Sequence, residues 1–275
     1  MQSEMLFLYW KVNRISRKET METKLLTLTE QYPHLKDLFS LYGKADRFWQ
    51  EVNGLLSTNG TSAQTTQATA YPRDIIGPVL QHFSTAFDLP EEPLAPLRQA
   101  LEAGDIDFTR LPLNEVPAFS LPYPEEELST ILFLLSRPFF RKLRDASSLD
   151  EQFWEEGRCP VCAARPALSS ITDEPKRRMH CSYCGTAGPY MFLGCPVCRT
   201  EKPAKLGTLA PEKEEGFRVT TCDECGSYVK SADARILTNM SPDLADLMSL
   251  PLDIIAQGKG FTRHAPNPIG LRRMK

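Results

Sequence analysis

The chain lacks the features that mark most membrane proteins and most enzymes. Among its 275 residues, uninterrupted apolar runs such as 131–135 are far shorter than the roughly 20 residues that a membrane-spanning helix requires. We find no apolar centre of a signal peptide, so we expect a soluble, cytoplasmic protein without membrane insertion. There is no glycine-rich phosphate loop, dinucleotide fingerprint, nucleophile elbow or helical His-Glu-x-x-His motif. We therefore predict a protein that is not an enzyme, with no catalytic residues and no organic cofactor site.

Excess positive charge is also missing. The chain has 32 Lys and Arg against 35 Asp and Glu, a formal net charge of −3, and residues 151–275 hold 17 basic and 15 acidic side chains. Nucleic-acid-binding proteins normally present a clearly basic face. If the cysteines of this half held two divalent ions as thiolates, its formal charge would fall below zero. We therefore expect no nucleic-acid partner, and a nucleic-acid-binding zinc ribbon stays open only as an alternative.

What the sequence does contain is eight cysteines, all in Cys-x-x-Cys pairs. A Cys-x-x-Cys turn aims two sulfurs at one point, and two such turns supply the four thiolates of a tetrahedral metal site. Eight cysteines therefore predict two metal ions, and thiolates suit either iron or zinc. The pairs are Cys159/Cys162, Cys181/Cys184, Cys195/Cys198 and Cys222/Cys225.

The order of the pairs indicates a duplicated module. Cys-Pro-Val-Cys occurs at Cys159 and again at Cys195, and each copy precedes a pair that is followed by glycine, Gly185 or Gly226. Glycine adopts a positive φ readily, which lets such a turn close with its amides directed at the sulfurs. We therefore assign the first site to Cys159, Cys162, Cys181 and Cys184, and the second site to Cys195, Cys198, Cys222 and Cys225.

Other interpretations of the cysteines remain open. A disulfide framework would need an oxidising compartment, and cysteines in adjacent Cys-x-x-Cys pairs rarely form disulfide bonds between distant parts of a chain. A thioredoxin-like dithiol would need one pair at a helix start within a βαβ unit. Interleaved ligation, or a cluster with inorganic sulfide, would use the same sulfurs. His180, directly before Cys181, is a further candidate ligand that we expect to lie beside the metal rather than on it.

Hydrophobic periodicity predicts a helical amino-terminal half. Apolar residues recur at three- and four-residue steps over about 35–54, 75–87, 94–104 and 125–144. Between them, we expect a polar linker over 57–70 and an extended, proline-rich connection over 111–124. Residues 1–20 are expected to be a disordered extension.

From Gly157 onward, short β-branched and aromatic segments between turns are typical of small ribbons of strands. Ser241 and Pro242 then begin a predicted helix that ends near Gly258. Its aspartates are expected to cap the helix or face solvent, with a partner-binding acidic groove as the alternative. The tail over 261–275 is expected to be extended on the surface. The predicted parts are thus 1–20, 21–150 (helical domain), 151–190 and 191–235 (the two four-cysteine modules), and 236–275 (helix and tail).

Longer motifs surround the cysteines. They are Gly157-Arg-Cys-Pro-Val-Cys, His180-Cys-Ser-Tyr-Cys-Gly, Cys195-Pro-Val-Cys and Cys222-Asp-Glu-Cys-Gly-Ser-Tyr-Val-Lys, followed by Asp243-Leu-Ala-Asp, Leu252-Asp253 and Asn267-Pro268. Together these motifs resemble the FdhE family of formate dehydrogenase accessory proteins. The resemblance is specific over about 155–270 and looser before that, where Tyr32-Pro33 precedes an aromatic-rich helix.

The resemblance implies an α+β fold with a helical amino-terminal domain and two rubredoxin-like or zinc-ribbon-like modules. It also implies an assembly factor that binds the catalytic subunit of a molybdenum- or tungsten-dependent formate dehydrogenase before that enzyme is complete. All eight cysteines would then be metal ligands, with iron suggested by the rubredoxin likeness. A rubredoxin-like electron carrier is the other alternative function.

Overall fold

The computed structural model of the chain describes residues 20–58, 68–113, 121–172, 174, 176–210 and 216–274. Nearly all of the expected extension over 1–20, and the middle of both the predicted linker and the proline-rich connection, lie outside these residues. Within the described ranges, no helix combines the length and hydropathy needed to cross a bilayer.

Five α-helices lie in the described part of the amino-terminal half. They are α1 (Met21–Gln31), α2 (Lys36–Thr58), α3 (Arg73–Phe87), α4 (Ala95–Ala103) and α5 (Glu125–Asp145). The four helices predicted from periodicity are confirmed, and Gly104 ends α4 with a φ of 82° as a left-handed C-cap. Periodicity missed α1 because Leu28 is its one fully buried side chain and its apolar stripe is therefore weak.

The helical core lies where α2 packs on α3 and α5. Tyr42, Ala45, Trp49 and Val52 of α2 are buried there. The indole Nε1 of Trp49 donates to the Leu134 carbonyl at 3.0 Å. Tyr71, just before α3, donates its hydroxyl to the Leu135 carbonyl at 2.6 Å. The large aromatic side chains thus fill the core, and their polar atoms find backbone partners on α5.

The second half forms one mixed sheet of six strands in the order β3-β2-β1-β6-β5-β4. The strands are β1 (Leu168–Ile171), β2 (Arg177–His180), β3 (Ala187–Tyr190), β4 (Leu206–Leu209), β5 (Phe217–Cys222) and β6 (Ser227–Asp233). Strands β1 to β3 and β4 to β6 are two antiparallel meanders, and β1 pairs with β6 in parallel. The predicted α+β class is confirmed, and the two ribbons share a single sheet.

The prediction of a single helix from Ser241 to Gly258 is wrong in one respect. The structure has two helices there, α6 (Pro242–Met248) and α7 (Leu250–Gly258). Ser241 caps α6 as expected, its hydroxyl accepting from the Leu244 amide at 3.3 Å. Pro251 lacks an N–H, and within a continuous helix its ring would clash with the carbonyl four residues earlier, so α6 cannot continue through it.

The predicted solvated or partner-binding role of the aspartates is also wrong for Asp246 and Asp253, which are buried. Lys230 on β6 forms ion pairs with Asp246 Oδ1 at 2.7 Å and with Asp253 Oδ2 at 2.5 Å. Arg263 donates to the second oxygens of the same two carboxylates at 2.6 and 2.8 Å. Two cations and two anions therefore neutralise each other and fix α6 and α7 on the sheet. Burial alone would raise the pKa of Asp253, but Lys230 and Arg263 hold it below its usual value.

Asp243 links α6 to the helical half. Its carboxylate accepts from Arg137 of α5 at 2.8 Å and from the Tyr42 hydroxyl of α2 at 3.2 Å. Arg137 is 1% exposed, and its guanidinium lies 4.1 Å from the centroid of the Trp49 ring. A cation over an aromatic face is attracted by the negative face of the ring. Asp243 thus anchors the carboxyl-terminal helices to the helical core.

The tail is not the extended surface segment that the sequence predicted. Thr262 forms a parallel β-bridge with Ser227 at the start of β6, and the Thr262 amide donates to the Gly226 carbonyl at 2.7 Å. Residues 265–270 are buried, and Asn267 Oδ1 accepts from the amides of Ile269 and Leu271 at 3.1 and 2.9 Å. At the start of this folded-back tail, Arg263 contacts the buried carboxylates of Asp246 and Asp253.

Replacing Asp253 with asparagine tests the buried ion cluster. The change leaves Lys230 and Arg263 with one carboxylate between them, so one buried positive charge is uncompensated. We expect the free energy of unfolding, measured by urea denaturation, to fall by about 3 kcal/mol. Arg98→Ala is the control, because it removes only an exposed pair with Glu102 and should leave stability essentially unchanged. An Asp253→Asn protein as stable as the parent would contradict this role.

Candidate metal centres

The four Cys-x-x-Cys turns in the structure share one backbone conformation, which we call a knuckle. The amide of the residue that follows the second cysteine donates to the carbonyl of the first cysteine, at 2.8 to 3.1 Å. That following residue has a positive φ in all four copies: Ala163 at 60°, Gly185 at 77°, Arg199 at 64° and Gly226 at 65°. From the sequence we expected a positive φ at the two glycines, yet alanine and arginine adopt it as well. The turn geometry therefore dominates over the residue's own preference.

The four knuckles occupy matching places in the two meanders. In each meander one knuckle precedes the first strand, and the other joins the second strand to the third. Cys181 and Cys184 thus lie between β2 and β3, as Cys222 and Cys225 lie at the β5–β6 turn. This equivalence supports the duplicated module inferred from the repeat.

The sulfurs gather into two groups. Within each group the Sγ atoms lie within 4.8 Å of one another, and the sulfurs that contact each other across the two turns are 3.4 to 3.7 Å apart. Four sulfurs at about 2.3 Å from one ion form a tetrahedron with edges of about 3.8 Å, so each group fits a single ion. All eight cysteines are free, and the groups are those assigned from the sequence: Cys159, Cys162, Cys181 and Cys184, then Cys195, Cys198, Cys222 and Cys225.

The chemistry of the donor set also fits a cation. Burial raises the pKa of the Cys162 and Cys181 thiols well above the usual range, and the neighbouring sulfurs add to the rise. Burial also acts to raise the pKa of Cys184, but hydrogen bonds from the neighbouring sulfurs and from Thr186 outweigh it and lower that pKa well below the usual value. A bound divalent cation compensates the charge of the thiolates and allows them to ionise.

Two hydroxyls that the sequence argument missed lie against the sulfurs. Thr186 Oγ1 is 3.1 Å from Cys184 Sγ, and Ser227 Oγ is 3.2 Å from Cys225 Sγ. Each hydroxyl can donate to a thiolate and so stabilise its negative charge. The signal was present in the sequence, since both knuckles read Cys-Gly followed by a hydroxyl residue.

Neither nearby histidine belongs to a sulfur group. His180 Nε2 lies 2.8 Å from Ser170 Oγ, and His264 Nε2 lies 2.8 Å from Ser227 Oγ. Both rings are thus held by hydroxyls. His264 stands behind Ser227, which in turn contacts Cys225, so it is one step further from the second centre.

The second centre is attached to the first module through Pro196. Arg165 Nη1 donates to the Pro196 carbonyl at 2.7 Å. Gly157, with a φ of 62°, passes so close that an added Cβ would lie 2.1 Å from the same oxygen. Only glycine fits this contact between the two modules.

A reciprocal pair of substitutions tests the knuckle geometry. Gly226→Ala forces a Cβ into a positive φ, and nothing lies within 4 Å of that Cβ, so we expect a loss of about 1 kcal/mol from backbone strain alone. Ala163→Gly relieves the same strain in another copy and should gain about 0.5 kcal/mol. Urea denaturation of the metal-loaded protein measures both. Changes of the same sign would contradict a shared knuckle conformation.

Comparisons with known proteins agree with this geometry. The family model described as "FdhE, C-terminal domain" matches residues 193–269, which include the second centre. A protein FdhE homolog from Aquifex aeolicus (strain VF5) is 31% identical over 144 residues, or 50% of this chain and 51% of that protein. The homolog from Shewanella baltica (strain OS223) is 31% identical over 118 residues, or 42% of this chain and 39% of that protein. The matched segments thus span about half or less of these relatives.

A solved structure extends the likeness over nearly the whole chain. The crystal structure of the FdhE protein from Pseudomonas aeruginosa superposes with a TM-score of 0.63 at 19% identity, covering 90% of this chain and 94% of that one. At this identity the likeness establishes the shared fold. Together with the family-model match over residues 193–269 and the 31% identity to the curated homologs, this likeness identifies the chain as an FdhE homolog.

Proposed function

We propose that the chain is a cytoplasmic accessory protein that binds the catalytic subunit of a formate dehydrogenase and supports its maturation. One observation carries the proposal: a chain of the FdhE family holds two four-cysteine groups, each with the geometry of a single-ion site. All eight cysteines are proposed as ligands of two metal ions, iron or zinc.

The coordination supports a role other than catalysis. Four thiolates complete a tetrahedral shell, whereas catalytic zinc sites keep one position open for water or substrate. Each group of this chain supplies four sulfurs from two knuckles. The ions would therefore organise a surface for a partner or change oxidation state, rather than activate a substrate.

The identity of the metal decides which of these two roles applies. One iron ion between four thiolates can change oxidation state with little rearrangement, so the protein could adjust the redox state of its partner. Zinc has no redox chemistry, and the modules would then be rigid scaffolds. A visible spectrum and metal content of anaerobically purified protein separate the two cases.

Co-purification tests the proposed partner. Affinity-tagged chain should recover the catalytic subunit of formate dehydrogenase from cells that express both proteins. Replacing Cys195 and Cys198 with serine removes one knuckle of the second centre, so the metal content should fall and recovery of the subunit should drop about tenfold, equivalent to about 1.4 kcal/mol. The readouts are elemental analysis and quantitative blotting.

Arg98→Ala on the exposed surface of α4 is the matched control and should recover the subunit normally. Failure of the unmodified chain to recover any subunit would overturn the proposed function. Full recovery by the metal-poor variant would instead refute a role for the second centre in recognition.

A further inference from the structure

We propose that the two centres have different roles: the first is a permanent structural site, and the second is an exchangeable site whose ion is open to an incoming ligand. The ion concerned is a divalent cation of the Zn²⁺ or Fe²⁺ type. The incoming ligand is a thiolate or nitrogen donor on another molecule.

The difference begins with exposure. No cysteine of the first centre is more than 7% exposed. In the second centre Cys195 and Cys222 are buried, but Cys198 and Cys225 reach solvent. These two come from opposite knuckles, so the sulfurs at one edge of the tetrahedron are accessible.

The equivalent positions of the two modules explain why. Tyr183 precedes the last cysteine of the first centre, and its ring packs 5.0 Å from Phe133 and 5.4 Å from Phe140 on α5. Its hydroxyl donates to the Leu111 carbonyl at 3.2 Å. The first centre is therefore sealed by the helical half of the molecule.

Glu224 takes the place of Tyr183 in the second module. It is exposed, and its partner is the exposed Lys202 at 3.3 Å. The preceding residues differ in the same way, because Ser182 is buried whereas Asp223 is exposed. The knuckle of the first centre therefore has a buried aromatic contact, whereas the equivalent knuckle of the second centre carries two acidic residues that are exposed to solvent.

Exposure controls how a thiolate-bound ion can leave. An incoming donor must reach the ion while a cysteine sulfur swings away and takes up a proton from solvent. Cys198 and Cys225 have room for both steps. In the first centre the helical half blocks the approach, and release would require local unfolding of a site whose metal contributes to folding. The ion passes to its new ligands without a change of oxidation state, and the four released thiolates are protonated.

The biological meaning rests on the proposed function, since the second centre would be the one that a partner protein can reach. The exchange itself is a property of this chain alone. Its test therefore needs no formate dehydrogenase, and its failure would be separate from a failure of the co-purification experiment.

The test uses the full chain loaded with zinc and excess 4-(2-pyridylazo)resorcinol, whose absorbance reports released metal. We expect two phases of one equivalent each, with rates that differ by about 100-fold. In parallel, N-ethylmaleimide labelling followed by peptide mass spectrometry should modify Cys198 and Cys225 first and the cysteines of the first centre last.

Cys198→Ser and Cys162→Ser are a matched pair, because each removes the second cysteine of a Cys-Pro-Val-Cys knuckle. Cys198→Ser should lose the fast equivalent and keep the slow one, with the fold retained. Cys162→Ser should unfold or lose the slow equivalent. The labelling order in the unmodified chain decides the matter independently of whether that variant folds. The proposal would be overturned if both ions were released at one rate, or if the cysteines of the first centre were labelled before Cys198 and Cys225. It would also be overturned if the fast phase survived in Cys198→Ser.

Discussion

Four sulfurs can surround one ion only if two turns that are distant in sequence meet at one point, and this requirement organises the second half of the molecule. Each module meets it by placing one knuckle before a three-stranded meander and the other between its second and third strands. The strands set the distance between the knuckles, and the knuckles set the direction of the sulfurs. A module of this size has a small hydrophobic core, so an ion bound by the four sulfurs would stabilise its fold.

The modules are tied to the rest of the protein by contacts of different kinds. Tyr183 inserts between aromatic side chains of α5 and carries the first centre into the helical core. The parallel pairing of β1 with β6 joins the two meanders. The ion cluster of Lys230, Asp246, Asp253 and Arg263 then holds α6, α7 and the tail on the sheet. Cys198 and Cys225 of the second centre are exposed, and among the described residues no aromatic side chain takes the place of Tyr183 beside them.

Much of this was visible in the sequence where the signal was local. The cysteine groups followed from spacing and from a repeated tetrapeptide, and the long helices followed from periodicity. The buried aspartates could not be predicted, because they read as ordinary helix-surface residues and their partner Lys230 lies on a separate strand. The same holds for the parallel pairing of β1 with β6, which joins strands separated by more than fifty residues. Left-handed φ at Ala163 and Arg199 is likewise imposed by the knuckle rather than by the residues themselves.

One repeated knuckle brings the eight cysteines together in two separate four-sulfur groups. X-ray absorption spectroscopy of the metal-loaded chain, with a metal count on the same sample, tests most directly whether each group holds one ion. We expect two ions per chain, each with four sulfur neighbours at about 2.3 Å. Nitrogen or oxygen neighbours, a single ion per chain, or the short metal–metal distance of a sulfide-bridged cluster would contradict two single-ion tetrathiolate sites.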